Sequence, residues 1–412
     1  MKNFLLFYKN LSPDFKKTTS IIFISYFLIL FSYPLMRSVS SALFYDVYTV
    51  KDYSLATFIG IIALMFMIGI NNKLLGRIGV HKLFILTSSL TIVSLLGAYL
   101  GFKSGIKEMA LVIFAVKEAY IVLLLHSCLA FTNSYFDLEQ LKRLLGPIGG
   151  AGALGGIVGG QLTKYMANSY GTEAVFYGSL VIIFAAMVVF NLSSHIKLKG
   201  LSSNKSITPL KAIRGVKKYV FLIASVVALS QLVIYIAELQ FNILFEQMVT
   251  TKNERTAYLG QFYSYVNGVS LVLQFFVLPY LLLRFSNRSI FLAIPILYII
   301  VVICGVSTGV SSLFITAAVF ITFKGVDYSA FAIAKEVMYN PLLSLQKFGA
   351  KYLTDMFVYR LAKALIAFVF ALEFIKNRYI TMNVLTSLQF IFLGIWIFLV
   401  FTLFREQKKI NK

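Results

Sequence analysis

Carboxylates are scarce in this chain: 16 Asp and Glu stand against 38 Lys and Arg in 412 residues, a formal charge of +22. Charged residues of both signs together make up only 13% of the sequence, about half the share of a soluble globular domain. Cysteine, histidine and tryptophan number two, three and one. Cys128 and Cys304 sit in separate apolar stretches, which excludes a disulfide framework and leaves them as small packing residues. His81, His126 and His195 are scattered with no second ligand nearby, so no metal spacing exists. His126 lies inside an apolar run and reads as a core hydrogen-bonding residue. No glycine-rich loop ends in Gly-Lys-Ser or Gly-Lys-Thr, which excludes a P-loop pump, and no catalytic constellation is present. The chain therefore reads as a non-enzyme with no cofactor and no metal. The excess of positive charge does not point to nucleic acid, because the basic residues gather in alternate loops between apolar runs.

Those runs are what the sequence has in abundance. Hydrophobic residues reach 59%, and stretches of roughly 18 or more recur along the whole chain, each long enough to cross a hydrocarbon core of about 30 Å. The pattern predicts an all-α membrane protein of about twelve helices, near residues 19–44, 54–71, 83–101, 109–132, 146–166, 173–194, 218–242, 256–283, 289–307, 311–338, 353–373 and 383–404. Met1 to Lys17 is polar and basic, and the run after it lacks a small-residue cleavage site, so it reads as the first span. One set of loops holds only Lys51, Lys103, Lys107, Lys164, Lys252, Arg255, Lys376 and Arg378; the alternate loops and both ends hold three times as many basic residues. That bias places both termini in the cytoplasm and requires an even number of helices, in what is expected to be a bacterial inner membrane. The longest polar stretch, 195–217, reads as a basic cytoplasmic linker between a six-helix half over 1–194 and another over 218–412.

The halves resemble each other. A shift of 207 residues lays Lys73–Phe84 on Tyr280–Phe291, matching Arg77 to Arg284 and Phe84 to Phe291, and the same shift lays Lys117 on Lys324. Two six-helix halves related by an axis along the membrane normal form the major facilitator architecture, with its substrate cavity between them. The segment Asn72–Phe84 loosely resembles that superfamily's basic second-loop motif, without its usual acidic residue. Ionisable groups inside spans each cost about 2.5–3.5 kcal/mol at mid-membrane. Here they are Arg37, Lys117, Glu118, Glu238, Lys324, Asp327, Lys335, Glu336, Asp355, Arg360 and Lys363. Lys335, Glu336 and Asp355 are near enough to an interface to snorkel. Lys324 and Asp327, three apart, are expected to pair, and Asp355 pairs more loosely with Arg360. The deep bases Arg37, Lys117 and Lys324 outnumber the deep acids, which points to an anionic substrate. The fifth helix is crowded with Gly146, Gly149, Gly150, Gly152, Gly155, Gly156, Gly159 and Gly160, a small-residue spacing that lets Gly155 and Gly156 meet a neighbouring backbone.

Several motifs resemble the non-mitochondrial ATP/ADP translocases, nucleotide exchangers with a major-facilitator-like fold. Lys335-Glu336-Val337-Met338-Tyr339-Asn340-Pro341-Leu342, followed by Lys351 and Asp355, is similar to that family's Lys-Glu-x-x-Tyr-x-Pro-Leu and Lys-x-x-x-Asp boxes. Asn253-Glu254 with Gly260 and Phe262, Glu118 on a helix ending Ala130-Phe131-Thr132-Asn133, and Lys142-Arg143-Leu144-Leu145-Gly146 are further likenesses. Together they cover about half of the chain. The resemblance implies transport roles for Glu118, Glu254 and Lys351. Arg37 matches the start of a fourth motif, where Ser40 and Ser41 replace the family's Lys-Asp pair. It also implies a nucleotide or related phosphorylated anion as substrate, exchanged by a monomer in the lipid bilayer. Arg37, Lys117, Lys324 and Lys351 would neutralise the anion and Glu118 and Glu254 would orient those bases. Asp327, Glu336, Asp355 and Arg360 would form gating ion pairs. A proton-coupled carrier of another solute, using Glu118 or Asp327, and a non-transporting membrane scaffold are the alternatives.

Overall fold

The computed structural model describes residues 12–196, 209–308, 312–376 and 380–410, and within them every regular element is a helix. Most of the linker expected over 195–217 lies outside the described residues, as do Met1 and Lys412. The membrane helices are α1 Pro13–Val47, α2 Val50–Ile78, α3 Val80–Lys103, α4 Met109–Tyr135, α5 138–170, α6 172–191, α7 Lys217–Met248, α8 Lys252–Arg284, α9 Asn287–Thr308, α10 Leu313–Met338, α11 344–375 and α12 Met382–Ile410. Most run past the expected limits, because helices project beyond the hydrocarbon at each end.

Local chemistry sets the boundaries. Pro13 opens α1, where its missing N–H costs nothing. Asp137 caps α5 by accepting from the Gln140 N–H at 2.9 Å, while the Gln140 side chain accepts from the Asp137 N–H at 3.0 Å. The helical run from 138 to 191 would be about 80 Å long if straight. It is not straight: Gly171 has φ +82°, and a Cβ built on Gly178 would lie 3.0 Å from Met166, so α5 and α6 form a tight hairpin. Helix α11 carries Lys351, Asp355, Arg360, Lys363 and Glu373, so charge interrupts its apolar stretch. Three π-helical segments interrupt the α-helical register: Leu273–Val277 in α8, Asp327–Phe331 in α10 and Tyr352–Val358 in α11.

By packing, the chain forms two compact units. The first holds residues up to Val47, 63–203 and 251–268; the second holds 48–62, 204–250 and 269–412. The start of α2 thus belongs to the second unit, and the start of α8 to the first.

Glycine decides the packing of the first unit. A Cβ on Gly155 would fall 2.3 Å from the carbonyl oxygen of Phe27, and one on Gly159 would fall 2.2 Å from that of Phe31, so α5 lies directly on the α1 backbone. Gly156 differs from expectation: it faces the side-chain amide of Asn267, not a backbone. Stacked rings fill the space between α3 and α6, with Phe84 on Phe190 at 4.1 Å and Tyr99 on Phe176 at 4.1 Å. In the second unit Tyr298 stacks on Phe323 at 4.0 Å, and the single Trp396 meets Tyr298 edge-on. Outward positions such as Phe66, Val93 and Phe314 are exposed and apolar, as a lipid-facing surface requires.

Candidate functional site

In the first unit, α1 supplies Arg37 one turn after Tyr33. Arg37 is 7% exposed, and its guanidinium stands 4.1 Å from the ring centre of Tyr263 on α8 and 5.5 Å from that of Tyr33. Aromatic faces stabilise a cation in a poorly hydrated place. On α4, Lys117 is 1% exposed; its Nζ lies 2.8 Å from Glu118 Oε1 and 3.6 Å from the ring centre of Phe114. Glu118 is half-buried, so Lys117 has an ion-pair partner on its own helix. Tyr120, one turn along α4, shares a hydrogen bond with Ser32 and sits against the Tyr33 ring. Arg37 and the Lys117–Glu118 pair thus belong to one continuous α1–α4 packing surface.

The second unit holds the remaining expected residues. Lys324 is buried near Phe320 and Tyr328. Asp327, the first residue of the α10 π segment, accepts from the Tyr359 hydroxyl at 2.8 Å and from the Gln231 amide at 3.3 Å. Lys335 pairs with Asp355 at 2.9 Å, and Tyr339 also donates to Asp355. Glu336 receives both Lys351, at 2.5 Å, and Lys347, at 3.4 Å. The expected Asp355–Arg360 pairing gives way to these bonds: the Arg360 guanidinium instead donates to the Met356 carbonyl at 3.0 Å. The π segment over 352–358 alters the turn between the two residues, and Lys335 reaches the carboxylate from α10.

A sequence model of the Major Facilitator Superfamily matches residues 18–334. The chain belongs to that superfamily. It is an integral membrane protein and a secondary transporter of the major facilitator type. No curated protein matches it in sequence. Solved structures share the fold. A point mutant of the nucleoside transporter NupG is 13% identical with a TM-score of 0.69, covering 95% of this chain and 99% of that one. A bacterial homologue of the iron transporter ferroportin in an inward-facing state is 12% identical with a TM-score of 0.66, covering 96% and 100%. A POT family peptide transporter is 12% identical with a TM-score of 0.61, covering 95% and 96%.

Within this major facilitator, two parts of the site depart from what the motifs suggested or were absent from them. Glu254 is exposed at the start of α8. Its neighbour Asn253 is the more engaged residue: its Oδ1 accepts from the Thr172 N–H at 2.9 Å and hydroxyl at 2.8 Å, fixing the first turn of α6. Arg255 donates to the Tyr45 carbonyl at 2.6 Å, and Gly260 packs on Gly160, so the Asn253–Phe262 stretch is in large part a packing motif. The second is a buried triad in the second unit. Glu238 on α7 is 2% exposed; it accepts from the Tyr53 hydroxyl at 2.8 Å and pairs with Lys363 at 2.9 Å. Glu238 and Lys363 are visible in the sequence as charges within spans, but nothing in their spacing links them to Tyr53.

The two units differ in charge balance. The first buries Arg37, Lys117 and Arg255, while no carboxylate among its described residues is buried to the same degree. In the second, Glu238 and Asp327 are buried alongside Lys324, and Lys335, Lys351 and Lys363 each have a carboxylate partner.

Proposed function

We propose that this major facilitator carries a phosphorylated anion of the nucleotide type, exchanging it across the membrane by alternating access. The observation that carries the reading is the excess of buried positive charge in the first unit, centred on Arg37 between two tyrosine rings. In a poorly screened interior such an excess favours a ligand of opposite sign. A guanidinium presents the fork that a phosphate oxygen pair fits, and the ammonium groups of Lys117, Lys324 and Lys351 act as point charges. Glu118 would hold Lys117 in place between loads. Glu254 would act at the mouth of the path, consistent with its exposure. Asp327, Glu336, Asp355 and Arg360 would form the contacts that rearrange as the carrier cycles. The proposed setting is a monomer in a bacterial inner membrane with both termini inside.

A second reading has its own observation. Asp327 is buried and accepts from two neutral donors, Tyr359 and Gln231. A carboxylate so placed can take up a proton without breaking those contacts, which would suit proton-coupled uptake of an uncharged solute such as a nucleoside.

Purified protein in proteoliposomes separates the two. Labelled adenosine, AMP, ADP and ATP are supplied with and without a proton gradient. The phosphate reading expects uptake of the phosphorylated compounds, stimulated by nucleotide inside the vesicle. It also expects a loss of about tenfold or more in Arg37→Gln, the effect of removing one charge-assisted contact. Gradient-driven uptake of adenosine alone, unchanged in Arg37→Gln and abolished in Asp327→Asn, would overturn it.

A further inference from the structure

The outer surface of each unit carries a groove, and the two grooves are the same groove twice. The first has a cavity volume of about 170 Å³ between α2, α3 and α4; the second, about 360 Å³, lies between α8, α9 and α10. The 207-residue shift that aligns the halves maps the lining of one onto the other: Leu74 onto Leu281, Leu83 onto Ile290, Leu90 onto Leu297, Ala119 onto Val326. Their rims are exposed and apolar, as at Met67, Leu90 and Leu297, so both open toward the hydrocarbon of the bilayer.

One position breaks the symmetry. Asn71 lines the first groove where the second has Leu278. Asn71 is 4% exposed, and its Nδ2 is buried with no hydrogen-bond partner. An amide donor left unmatched inside a membrane is costly, and the groove it lines is open only to lipid. A lipid ester carbonyl is an acceptor that can reach it there. The depth agrees. Helix α2 is 29 residues long, about 43 Å, so it overshoots a hydrocarbon core of about 30 Å by several ångströms at each end. Asn71 stands seven residues before the end of α2, which places it just below the hydrocarbon boundary, where the glycerol esters begin. From there the groove follows α3 to Leu90 and Ser94, near the midplane, about the reach of one acyl chain. Beyond Asn71, the last turns of α2 carry exposed Lys73 and Arg77 and the first turn of α3 carries exposed Lys82, complementary to a negative headgroup.

We propose that the α2–α3–α4 groove is a binding site for one anionic phospholipid: an acyl chain in the groove, an ester carbonyl on Asn71 and the phosphate beneath Lys73, Arg77 and Lys82. The α8–α9–α10 groove, with leucine in place of asparagine, takes acyl chains without selecting among them.

The full chain is reconstituted in phosphatidylcholine vesicles doped with phosphatidylglycerol, extracted in mild detergent, and its retained lipids counted by native mass spectrometry. The wild type is expected to keep one phosphatidylglycerol through delipidation that strips phosphatidylcholine. Asn71→Leu, which installs the residue of the other half, is expected to lose it. The triple change Lys73→Gln, Arg77→Gln, Lys82→Gln is expected to keep one lipid but no longer prefer phosphatidylglycerol. Leu278→Asn is expected to retain a second lipid, and this arm decides the matter if Asn71→Leu fails to fold. Unchanged phosphatidylglycerol retention in folded Asn71→Leu, no gain in Leu278→Asn, or equal retention of both lipids by the wild type would each overturn the proposal.

Discussion

Glu238 shows what a single residue can demand inside a membrane protein. Its carboxylate is almost wholly enclosed, and it is held from both sides, by the Tyr53 hydroxyl and by the Lys363 ammonium. Removing one partner of such a pair leaves the other charged and unmatched, at a cost of about 3–5 kcal/mol, whereas removing both charges together is far milder. Glu238→Gln and Lys363→Met are therefore each expected to lower the thermal midpoint in detergent sharply. The double variant is expected to recover most of the loss, with Tyr53 still able to donate to the glutamine. Additive losses in the double variant would show that the two residues do not act as a pair. The same reasoning applies to Lys117. Its bond to Glu118 joins neighbouring residues, so it could be anticipated from the sequence; the Glu238–Tyr53 bond spans 185 positions and could not.

At the scale of the helix, α5 is governed by which glycines touch something. Gly159 would drive a Cβ into the Phe31 carbonyl oxygen, a backbone atom that cannot turn aside, whereas Gly146 has nothing within 4 Å of that position. Gly159→Ala is expected to separate α5 from α1 and destabilise the protein by about 1–3 kcal/mol, the usual range for overpacking. Gly146→Ala is expected to be neutral or slightly stabilising, since alanine favours the helix. Thermal melts of the two purified variants check this; equal behaviour would mean that α5 does not rest on α1 as described. The sequence marked this face as a packing surface but could not rank its glycines, because spacing gives the face and not the neighbour. It located the spans well, since hydropathy follows membrane thickness. It placed the start of α11 nine residues too late, because Lys347 and Lys351 made the first turns look like loop. The three π segments left no trace in composition: a shift of backbone bonding from one carbonyl to the next changes the aim of Asp327 and Asp355 without requiring a particular residue. For that reason Asp355 was assigned to Arg360 when it belongs to Lys335.

For the molecule as a whole, one internal relationship keeps returning. The offset that aligns Arg77 with Arg284 also aligns two buried lysines, Lys117 and Lys324, and the linings of two lipid-facing grooves. Chance similarity between apolar segments would not reproduce a cavity. The proposed duplication of a six-helix half carries a consequence for topology. On that proposal each half crosses the membrane an even number of times, so both would begin and end on one side, and the chain termini would share it. The distribution of charge then says which side. The adjoining ends of α2 and α3, with Lys73, Arg77 and Lys82, and their counterparts in α8 and α9, with Arg284 and Arg288, mark that surface; the end of α3 and the turn to α4 hold only Lys103 and Lys107 as basic residues, and Lys103 is paired with Glu173. The positive-inside rule assigns the richer surface to the cytoplasm. A phosphatase that is active only outside the cytoplasm is therefore expected to be silent when fused after Lys412 and active when inserted beside Gly105 in the α3–α4 turn. A cytoplasm-dependent fluorescent reporter at the same two places is expected to give the opposite pattern. A phosphatase active at both Lys412 and Gly105 would break the count of crossings between them, and neither the duplication nor the placement of α11 as a full span would survive it; activity at Lys412 with silence at Gly105 would instead overturn the assigned orientation.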